Sequence, residues 1–213
     1  MEIIHREIEK YADDHTSNEP ELLKKINRET HVNYLFPRML SGHYQGRLLS
    51  ILTGMIKPSA VLEIGTYTGY GTICLAEGLK NDGVIHTIEI NIELEEVIRH
   101  NFREAGIGDL VKLYFGNALE IIPGIGGSFD LVYLDADKIN YITYFNMLID
   151  RIIPGGYIFA DNVLWSGKVI HNPDRDKEAA KLQEFNDFIQ ADKRVNNILL
   201  PVRDGIMVIQ KNL

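Results

Sequence analysis

The alternation of two hydrophobic periodicities after Ser59 restricts the possible folds of this chain more than any other feature of the sequence. Short apolar runs are followed by longer amphipathic runs, so "AVLEIG" precedes "YGTICLAEGLK" and "GVIHTIEI" precedes "IELEEVIRHNFREAG". The same alternation continues through "LVKLYFG", "FDLVYLDA" and "GGYIFADN". Strands that alternate with helices predict an α/β fold, in which helices cover both faces of a largely parallel sheet.

The end of the chain departs from this pattern. Two apolar runs, "NNILLPV" and "GIMVIQK", are separated only by "RDG", which is too short for a parallel crossover and suits an antiparallel hairpin. A polar loop, "HNPDRDK", and a helix from about Glu178 to Ala191 precede them, and two helical patterns, "PELLKKINRETHVNY" and "GHYQGRLLSILTGMIK", lead the chain. The sequence therefore predicts a seven-stranded mixed sheet with an antiparallel last strand.

Composition limits the setting and the partners. The 213 residues, 45% of them hydrophobic, suit one domain over residues 1–213. The net charge of −8 provides no overall attraction to nucleic acid or to an anionic membrane, but it does not exclude a local basic patch. A single cysteine, Cys74, excludes an internal disulfide, and we interpret it as a core residue. Without an apolar stretch of about 20 residues or a signal peptide, we expect a soluble cytoplasmic protein.

A glycine loop, "VLEIGTYTGYG", lies between the first strand of this region and its helix. Its spacing is G-x-x-x-G-x-G rather than the dinucleotide pattern G-x-G-x-x-G. Glu63 would repel a pyrophosphate but suits a cationic amino group, and Glu89 ends the next strand, where a carboxylate can accept hydrogen bonds from ribose hydroxyls. These features fit S-adenosylmethionine. The alternative is that Gly65 and Gly69 only make a tight turn between strand and helix.

Acidic and amide side chains follow two later strands. Asp135 ends one strand, and Asp161 and Asn162 end the next. If these strands are neighbours, three oxygen ligands converge, and such ligands select a hard cation, Mg²⁺ before Mn²⁺ or Ca²⁺. The alternative for Asp161 and Asn162 is turn capping. Lys138, three residues after Asp135, would have a lowered pKa beside a cation and could act as a general base, or it is a surface lysine paired with Asp137.

Five motifs in this order resemble the cation-dependent O-methyltransferases, the caffeoyl-CoA and catechol O-methyltransferase family, and its bacterial members in particular. They are "SGHYQGRLL", "LEIGTYTGYG", "IEI", "YLDADKINY" and "ADNVLWSGKV", and they run collinearly from about Met39 to Val169. The resemblance implies a Rossmann-like class I methyltransferase fold and a homodimer. It also implies that the helices in residues 1–58 cover the cofactor and the acceptor.

The resemblance assigns roles to individual positions. It makes Asp135, Asp161 and Asn162 the metal ligands and Lys138 the catalytic base, and it lets Asp135 touch the cofactor as well. The other cofactor residues that it implies are Met39, Ser41, Glu63, Gly65, Thr66, Gly71, Glu89 and Ala118. Two positions depart from the family pattern: Gly71 replaces a common serine, and Asn117 replaces a common aspartate.

These assignments predict an O-methyltransferase that depends on S-adenosylmethionine and a divalent metal. Its acceptor would be a hydroxyl beside a second oxygen, as in a catechol or a caffeoyl-type phenol. A tRNA hydroxyuridine is the alternative acceptor, kept open by a locally basic N-terminal segment: Lys24, Lys25, Arg28, Arg38 and Arg47. Trp165 and Tyr141 either flank a planar acceptor or anchor their own loops. A protein that only binds an adenosine ligand and a nicotinamide oxidoreductase are the competing classes.

Overall fold

The computed structural model describes residues 4–171 and 175–213, and in this part of the chain seven strands form one sheet. The strands are β1 (Ala60–Ile64), β2 (Val84–Glu89), β3 (Val111–Phe115), β4 (Phe129–Leu134), β5 (Ile152–Asp161), β6 (Val195–Leu200) and β7 (Ile206–Lys211). Their order is β3-β2-β1-β4-β5-β7-β6, and β7 runs antiparallel to both β5 and β6. The predicted mixed sheet with an antiparallel last strand is confirmed.

Helices occupy most of the intervals between the strands. In the described residues they are α1 (Arg6–Asp14), α2 (Glu21–Asn33), α3 (Gly42–Ile56), α4 (Tyr70–Ala76), α5 (Glu95–Glu104), α6 (Ala118–Ile121), α7 (Tyr141–Leu148), α8 (Lys168–His171) and α9 (Lys177–Ala191). The sequence analysis did not predict α1 or α8. Within the predicted polar loop, residues 172–174 lie outside the described residues. Among the helices described, none is both long and apolar enough to cross a membrane.

The chain divides into two compact units, and the first contains Glu9–Ile125. Close packing of α3 on α4 in this unit depends on a glycine. A Cβ atom at Gly46 would lie 2.7 Å from Cε1 of Tyr70 and 2.9 Å from Sγ of Cys74, so a larger residue would push the helices apart. Cys74 is fully buried, and burial raises the pKa of its thiol to about 12, which confirms its interpretation as a core residue.

The second unit contains Gly126–Leu213 and includes the remaining four strands. The parallel strands β4 and β5 pair with Leu134 opposite Ala160, so Asp135 and Asp161 each come one residue after a paired position. Neighbouring strands lie about 4.8 Å apart, and this register therefore brings the two carboxylates to one end of the strand pair. Behind them α7 and α9 meet through aromatic rings, with the centroids of Tyr141 and Phe185 5.3 Å apart.

Candidate active site

The glycine loop is a tight connection between β1 and α4. Gly65 (φ 106°) and Gly69 (φ 86°) have left-handed backbone conformations, which glycine adopts without steric cost. A Cβ atom at Gly69 would also lie 2.7 Å from Cε1 of Phe102. Gly71 is buried in the first turn of α4. The two glycines thus make the turn that the sequence analysis considered as an alternative, and this role is compatible with backbone approach to a ligand.

Glu89 connects the glycine loop to the end of β2. Its Oε2 accepts the backbone N–H of Tyr67 over 2.7 Å, and its Oε1 accepts the N–H of Asn91 over 2.9 Å. The carboxylate is thereby held in one orientation. Glu89 is buried, with only 6% of its surface exposed. Each carboxylate oxygen can accept about two hydrogen bonds, so Glu89 retains the capacity to accept the ribose hydroxyls of a nucleoside. Tyr67 itself has a positive φ of 51°.

Glu63 is buried in a chain of threonine hydroxyls. Its Oε2 accepts hydrogen bonds from Thr72 and, over 2.6 Å, from Thr87. The Thr87 hydroxyl in turn lies 2.5 Å from that of Thr66, so two of the predicted cofactor residues share one hydrogen-bond network. Glu63 is 0% exposed. The structure therefore gives Glu63 a role in fixing β1, β2 and the glycine loop, and its direct contact with an amino group stays a prediction.

The other predicted cofactor residues lie at or beside the ends of helical elements in the same unit. Ser41 is buried immediately before α3, and Met39 is exposed at the end of the 3₁₀ turn Pro37–Met39. Ala118 is buried as the first residue of α6, where the Asn117 side chain caps the helix by accepting the N–H of Leu119 over 3.0 Å. Asn117 therefore provides the cap that the more common aspartate could also provide.

The second unit brings together the predicted base and the predicted metal ligands. Nζ of Lys138 donates to Oδ1 of Asp135 over 2.8 Å and to the hydroxyl of Tyr141 over 2.9 Å. The same hydroxyl lies 2.9 Å from the carbonyl oxygen of Asp161. Tyr141 thus joins the two strand ends through one phenol, and it is 0% exposed. Its burial excludes it from flanking an acceptor ring, so the loop-anchoring interpretation of Tyr141 is confirmed.

Lys138 is buried, and its protein neighbours favour its charged form. Burial opposes the charge, but the nearby Asp135, Tyr141 and Asp161 outweigh it and raise the pKa of the ammonium. The alternative that Lys138 is a surface lysine paired with Asp137 is wrong, because Lys138 is only 7% exposed and bonds to Asp135. The expected lowering of its pKa beside a cation stays a prediction for the cation-bound site.

The predicted metal ligands are all oxygen atoms, from two carboxylates and one amide. Asp161 is 3% exposed, with its Oδ2 accepting the Tyr133 hydroxyl over 2.8 Å and its Oδ1 accepting the N–H of Asn162 over 2.7 Å. The Asp135 side chain is 22% exposed. In the ranges 4–171 and 175–213, three or more His, Cys, Asp or Glu side chains do not gather at any metal-binding cluster. A cation would therefore rest on two carboxylates and the Asn162 amide, a donor set that fits Mg²⁺.

Trp165 stands in the turn that follows Asn162. Its Nε1–H donates to Asp176 over 3.4 Å, and Nζ of Lys168 lies 5.9 Å from its ring centroid. Asp176 also accepts Nζ of Lys168 over 2.7 Å and caps α9 by accepting the N–H of Glu178 over 3.1 Å. These contacts support the loop-anchoring role of Trp165 and leave its ring partly exposed.

Sequence reasoning missed two of the three residues that support the predicted base and metal ligands. Tyr133, Tyr141 and Asp204 hold predicted site residues or the turn beside them. Tyr133 has the pattern of an ordinary strand aromatic, whereas Tyr141 is already a candidate loop anchor in the sequence. Asp204 lies in the short "RDG" connection, where an aspartate is typical of any turn. No periodicity distinguishes such residues, because their partners are far away in the chain.

A sequence profile described as O-methyltransferase matches residues 13–212, nearly the whole chain. This chain belongs to the O-methyltransferase family. Caffeoyl-CoA O-methyltransferase 1 of Eucalyptus globulus is 34% identical to it over 204 residues, which cover 91% of this chain and 82% of that protein. The caffeoyl-CoA O-methyltransferase of Petroselinum crispum is also 34% identical, over 205 residues. The family resemblance inferred from the five motifs is thus confirmed.

Solved structures of O-methyltransferases share the fold. The enzyme from Bacillus cereus in complex with SAH superposes with a TM-score of 0.88 at 28% identity, covering 97% of each chain. TomG from Streptomyces achromogenes in complex with SAM has a TM-score of 0.87 at 28% identity, over 97% of this chain and 96% of its own. These likenesses confirm the predicted class I methyltransferase fold.

Proposed function

We propose that this O-methyltransferase transfers the methyl group of S-adenosylmethionine to a phenolic hydroxyl that lies beside a second oxygen, with the help of a divalent cation. The observation that carries this proposal is the buried Lys138, whose Nζ lies 2.8 Å from Asp135 at the strand ends that also bear Asp161 and Asn162. The names of the caffeoyl-CoA O-methyltransferase relatives support a catechol-like acceptor.

The cofactor assignment rests on the first unit. Glu89 would accept the ribose hydroxyls, and the turn at Gly65 and Thr66 would adjoin the methionine portion. The buried Ala118 would lie at the adenine, with Met39 and Ser41 as a cover. Solved relatives in complex with SAM or SAH support this choice of cofactor. A dinucleotide is disfavoured, since the left-handed glycines here follow the spacing G-x-x-x-G.

The chemistry of transfer would fall to the second unit. Asp135, Asp161 and Asn162 would hold a divalent cation, which when bound would lower the pKa of the acceptor hydroxyl and orient it. Lys138 in its neutral form would take the hydroxyl proton at Nζ. The acceptor oxygen, once it has lost its proton to Lys138, would attack the methyl carbon, the sulfur–methyl bond would break, and the sulfur would keep the electron pair of that bond. Tyr141 would hold Nζ in place during the proton transfer.

The structure offers little support for a tRNA acceptor. Lys24 pairs with Glu21 over 2.7 Å, Lys25 pairs with Glu104 over 3.5 Å, and Arg47 pairs with Glu77 over 2.8 Å. Three of the five basic residues in the N-terminal segment therefore have acidic partners, which reduces the positive potential available to phosphates. We therefore propose methyl transfer to a small phenolic acceptor rather than to tRNA. The homodimer and the cytoplasmic location stay predictions, the first of which light scattering in solution would test.

The decisive experiment follows labelled methyl transfer from S-adenosylmethionine to two acceptor pools, small catechols and hydroxyuridine-containing tRNA, each with Mg²⁺ and with a chelator. We expect transfer to catechols that disappears in the chelator. Faster transfer to tRNA would mean that the acceptor is a tRNA hydroxyuridine and not a catechol. Equal transfer with Mg²⁺ and with the chelator would contradict the role of the cation. Cofactor binding without transfer to either pool would favour a protein that only binds its adenosine ligand.

A further inference from the structure

The turn that follows β5 has an unusual backbone. Asn162, Trp165 and Ser166 have φ values of 59°, 47° and 53°, so three residues other than glycine adopt the left-handed region within five positions. L-amino acids are disfavoured in this region because Cβ approaches the following carbonyl oxygen. Such a turn persists only where surrounding contacts hold it in place.

Those contacts come from the connection between β6 and β7. The N–H of Val163 donates to the carbonyl oxygen of Gly205 over 3.1 Å, and the N–H of Leu164 donates to that of Asp204 over 2.9 Å. The third contact uses a side chain, since Oδ1 of Asp204 accepts the N–H of Ser166. The hairpin connection therefore accepts the hydrogen bonds of the turn at three places.

The two segments are also in close steric contact. Gly205 has a φ of 86°, and a Cβ atom there would lie 2.5 Å from Cγ of Leu164. A glycine is thus needed for the hairpin connection to approach the turn closely enough for Asp204 to reach Ser166.

We propose that Asp204 is a positioning residue for the cation site, because its carboxylate holds the turn that presents the Asn162 side chain. This inference rests on the proposed function, in which Asn162 is a cation ligand. Without Asp204, the N–H of Ser166 loses its acceptor and the turn can relax from the left-handed region. Asn162 would then have to be reordered each time a cation binds, which weakens affinity. Partners that orient metal ligands typically change affinity about 10–100-fold when removed.

The test measures Mn²⁺ affinity by the electron paramagnetic resonance signal of the free ion, together with S-adenosylmethionine affinity by calorimetry. We expect Asp204→Ala to weaken Mn²⁺ binding about tenfold or more, with cofactor affinity unchanged. Asp192→Ala is the matched control, because Oδ1 of Asp192 accepts the N–H of Arg194 over 2.9 Å at the other end of β6. This control should leave Mn²⁺ affinity at the wild-type value.

Three further variants separate the positioning effect of Asp204 from its charge. Asp204→Asn removes the charge but keeps an oxygen that can accept the Ser166 N–H, so it should retain most of the affinity. An equal loss in Asp204→Asn and Asp204→Ala would show an electrostatic effect and overturn the proposal. Ser166→Gly added to Asp204→Ala should restore part of the affinity, because glycine adopts positive φ at little cost. If Asp204→Ala does not fold, Asp204→Glu takes its place in the test. The longer side chain keeps the charge but moves the carboxylate oxygen away from the N–H of Ser166, so Mn²⁺ binding should again weaken.

The outcomes distinguish this inference from the proposed function. Wild-type affinity in Asp204→Ala or in Asp204→Glu, beside a wild-type protein that binds Mn²⁺, would overturn the positioning role alone. A wild-type protein that binds no Mn²⁺ at millimolar concentration would overturn the cation site and the positioning role together.

Discussion

Nζ of Lys138 lies 2.8 Å from Oδ1 of Asp135, so the predicted base and a predicted cation ligand form one partly buried ion pair. The pair explains why two ionisable groups tolerate their position at the end of a hydrophobic strand, since each charge compensates the other. It also implies a competition, because a cation that binds Asp135 draws the carboxylate away from the ammonium. Cation binding and the proton affinity of Lys138 should therefore be coupled.

Lys138→Met removes the predicted base while it keeps much of the side-chain volume. We expect the turnover number to fall about 10²–10⁴-fold, the range for loss of a general base, and the Kd of S-adenosylmethionine to stay within about twofold. The measurement is initial rate at saturating catechol and Mg²⁺. Lys181→Met is the control, since Lys181 pairs with Glu184 on the exposed face of α9. Retained turnover in Lys138→Met would remove this residue from the mechanism.

Tyr141→Phe deletes the hydroxyl that contacts both Lys138 and the carbonyl oxygen of Asp161. Loss of this buried hydrogen-bonding group should lower the free energy of unfolding by about 1–3 kcal/mol and reduce the turnover number. Tyr144→Phe is the matched control on α7, because the hydroxyl of Tyr144 donates to Asp137 over 2.7 Å. Denaturant unfolding should show a loss in both variants, whereas kinetics should single out Tyr141→Phe. Equal turnover in the two would assign Tyr141 to stability alone.

Glu89→Ala should weaken S-adenosylmethionine binding more than tenfold, which corresponds to about 1.4 kcal/mol or more. Two effects add, because the ribose hydroxyls lose an acceptor and the N–H groups of Tyr67 and Asn91 lose theirs. Calorimetric titration measures the change, and the exposed Glu93 provides the control variant Glu93→Ala. A cofactor affinity that is the same in both variants would argue against the ribose contact.

The lowered pKa of the Glu77 carboxyl should make the stability of the first unit depend on pH. Burial would raise the pKa of its carboxyl, but hydrogen bonds from Arg47 and Ser50 outweigh burial and lower it below the usual value of 4.5. A lowered pKa in the folded state means that the stabilisation is present above the unfolded-state pKa and is lost as the pH falls through the folded-state pKa. Glu77→Gln should therefore lose less unfolding free energy than wild type between about pH 6 and about pH 3.

Chemical denaturation at a series of pH values checks this prediction. The variant should be less stable than wild type at neutral pH, and the difference should narrow in acid. A difference that stays constant with pH would mean that Glu77 stabilises α3 and α4 through packing rather than through charge.

Local pattern determined much of this protein. The alternation after Ser59 predicted the strands and most of the helices, because hydrophobic periodicity reflects which side of each element is buried. The three-residue connection "RDG", residues 203–205, predicted the antiparallel last strand, since chain length alone forbids a parallel crossover there. Asp135, Asp161 and Lys138 could be selected because polar residues at the ends of apolar strands are costly without a partner or a ligand.

Tertiary structure decided what those residues touch. Insertion of β7 between β5 and β6 has no signature in the strand sequences themselves. Helix α1 carries Ile8, Tyr11 and Ala12 at helical spacing, but none of its residues is buried, so only the tertiary structure shows that this face lacks a core contact. The hydroxyl of Tyr141 against Lys138, and Asp204 against Ser166, depend on packing between segments distant in the chain. Periodicity records how often a side chain is buried, whereas the identity of its partner is a property of the folded chain.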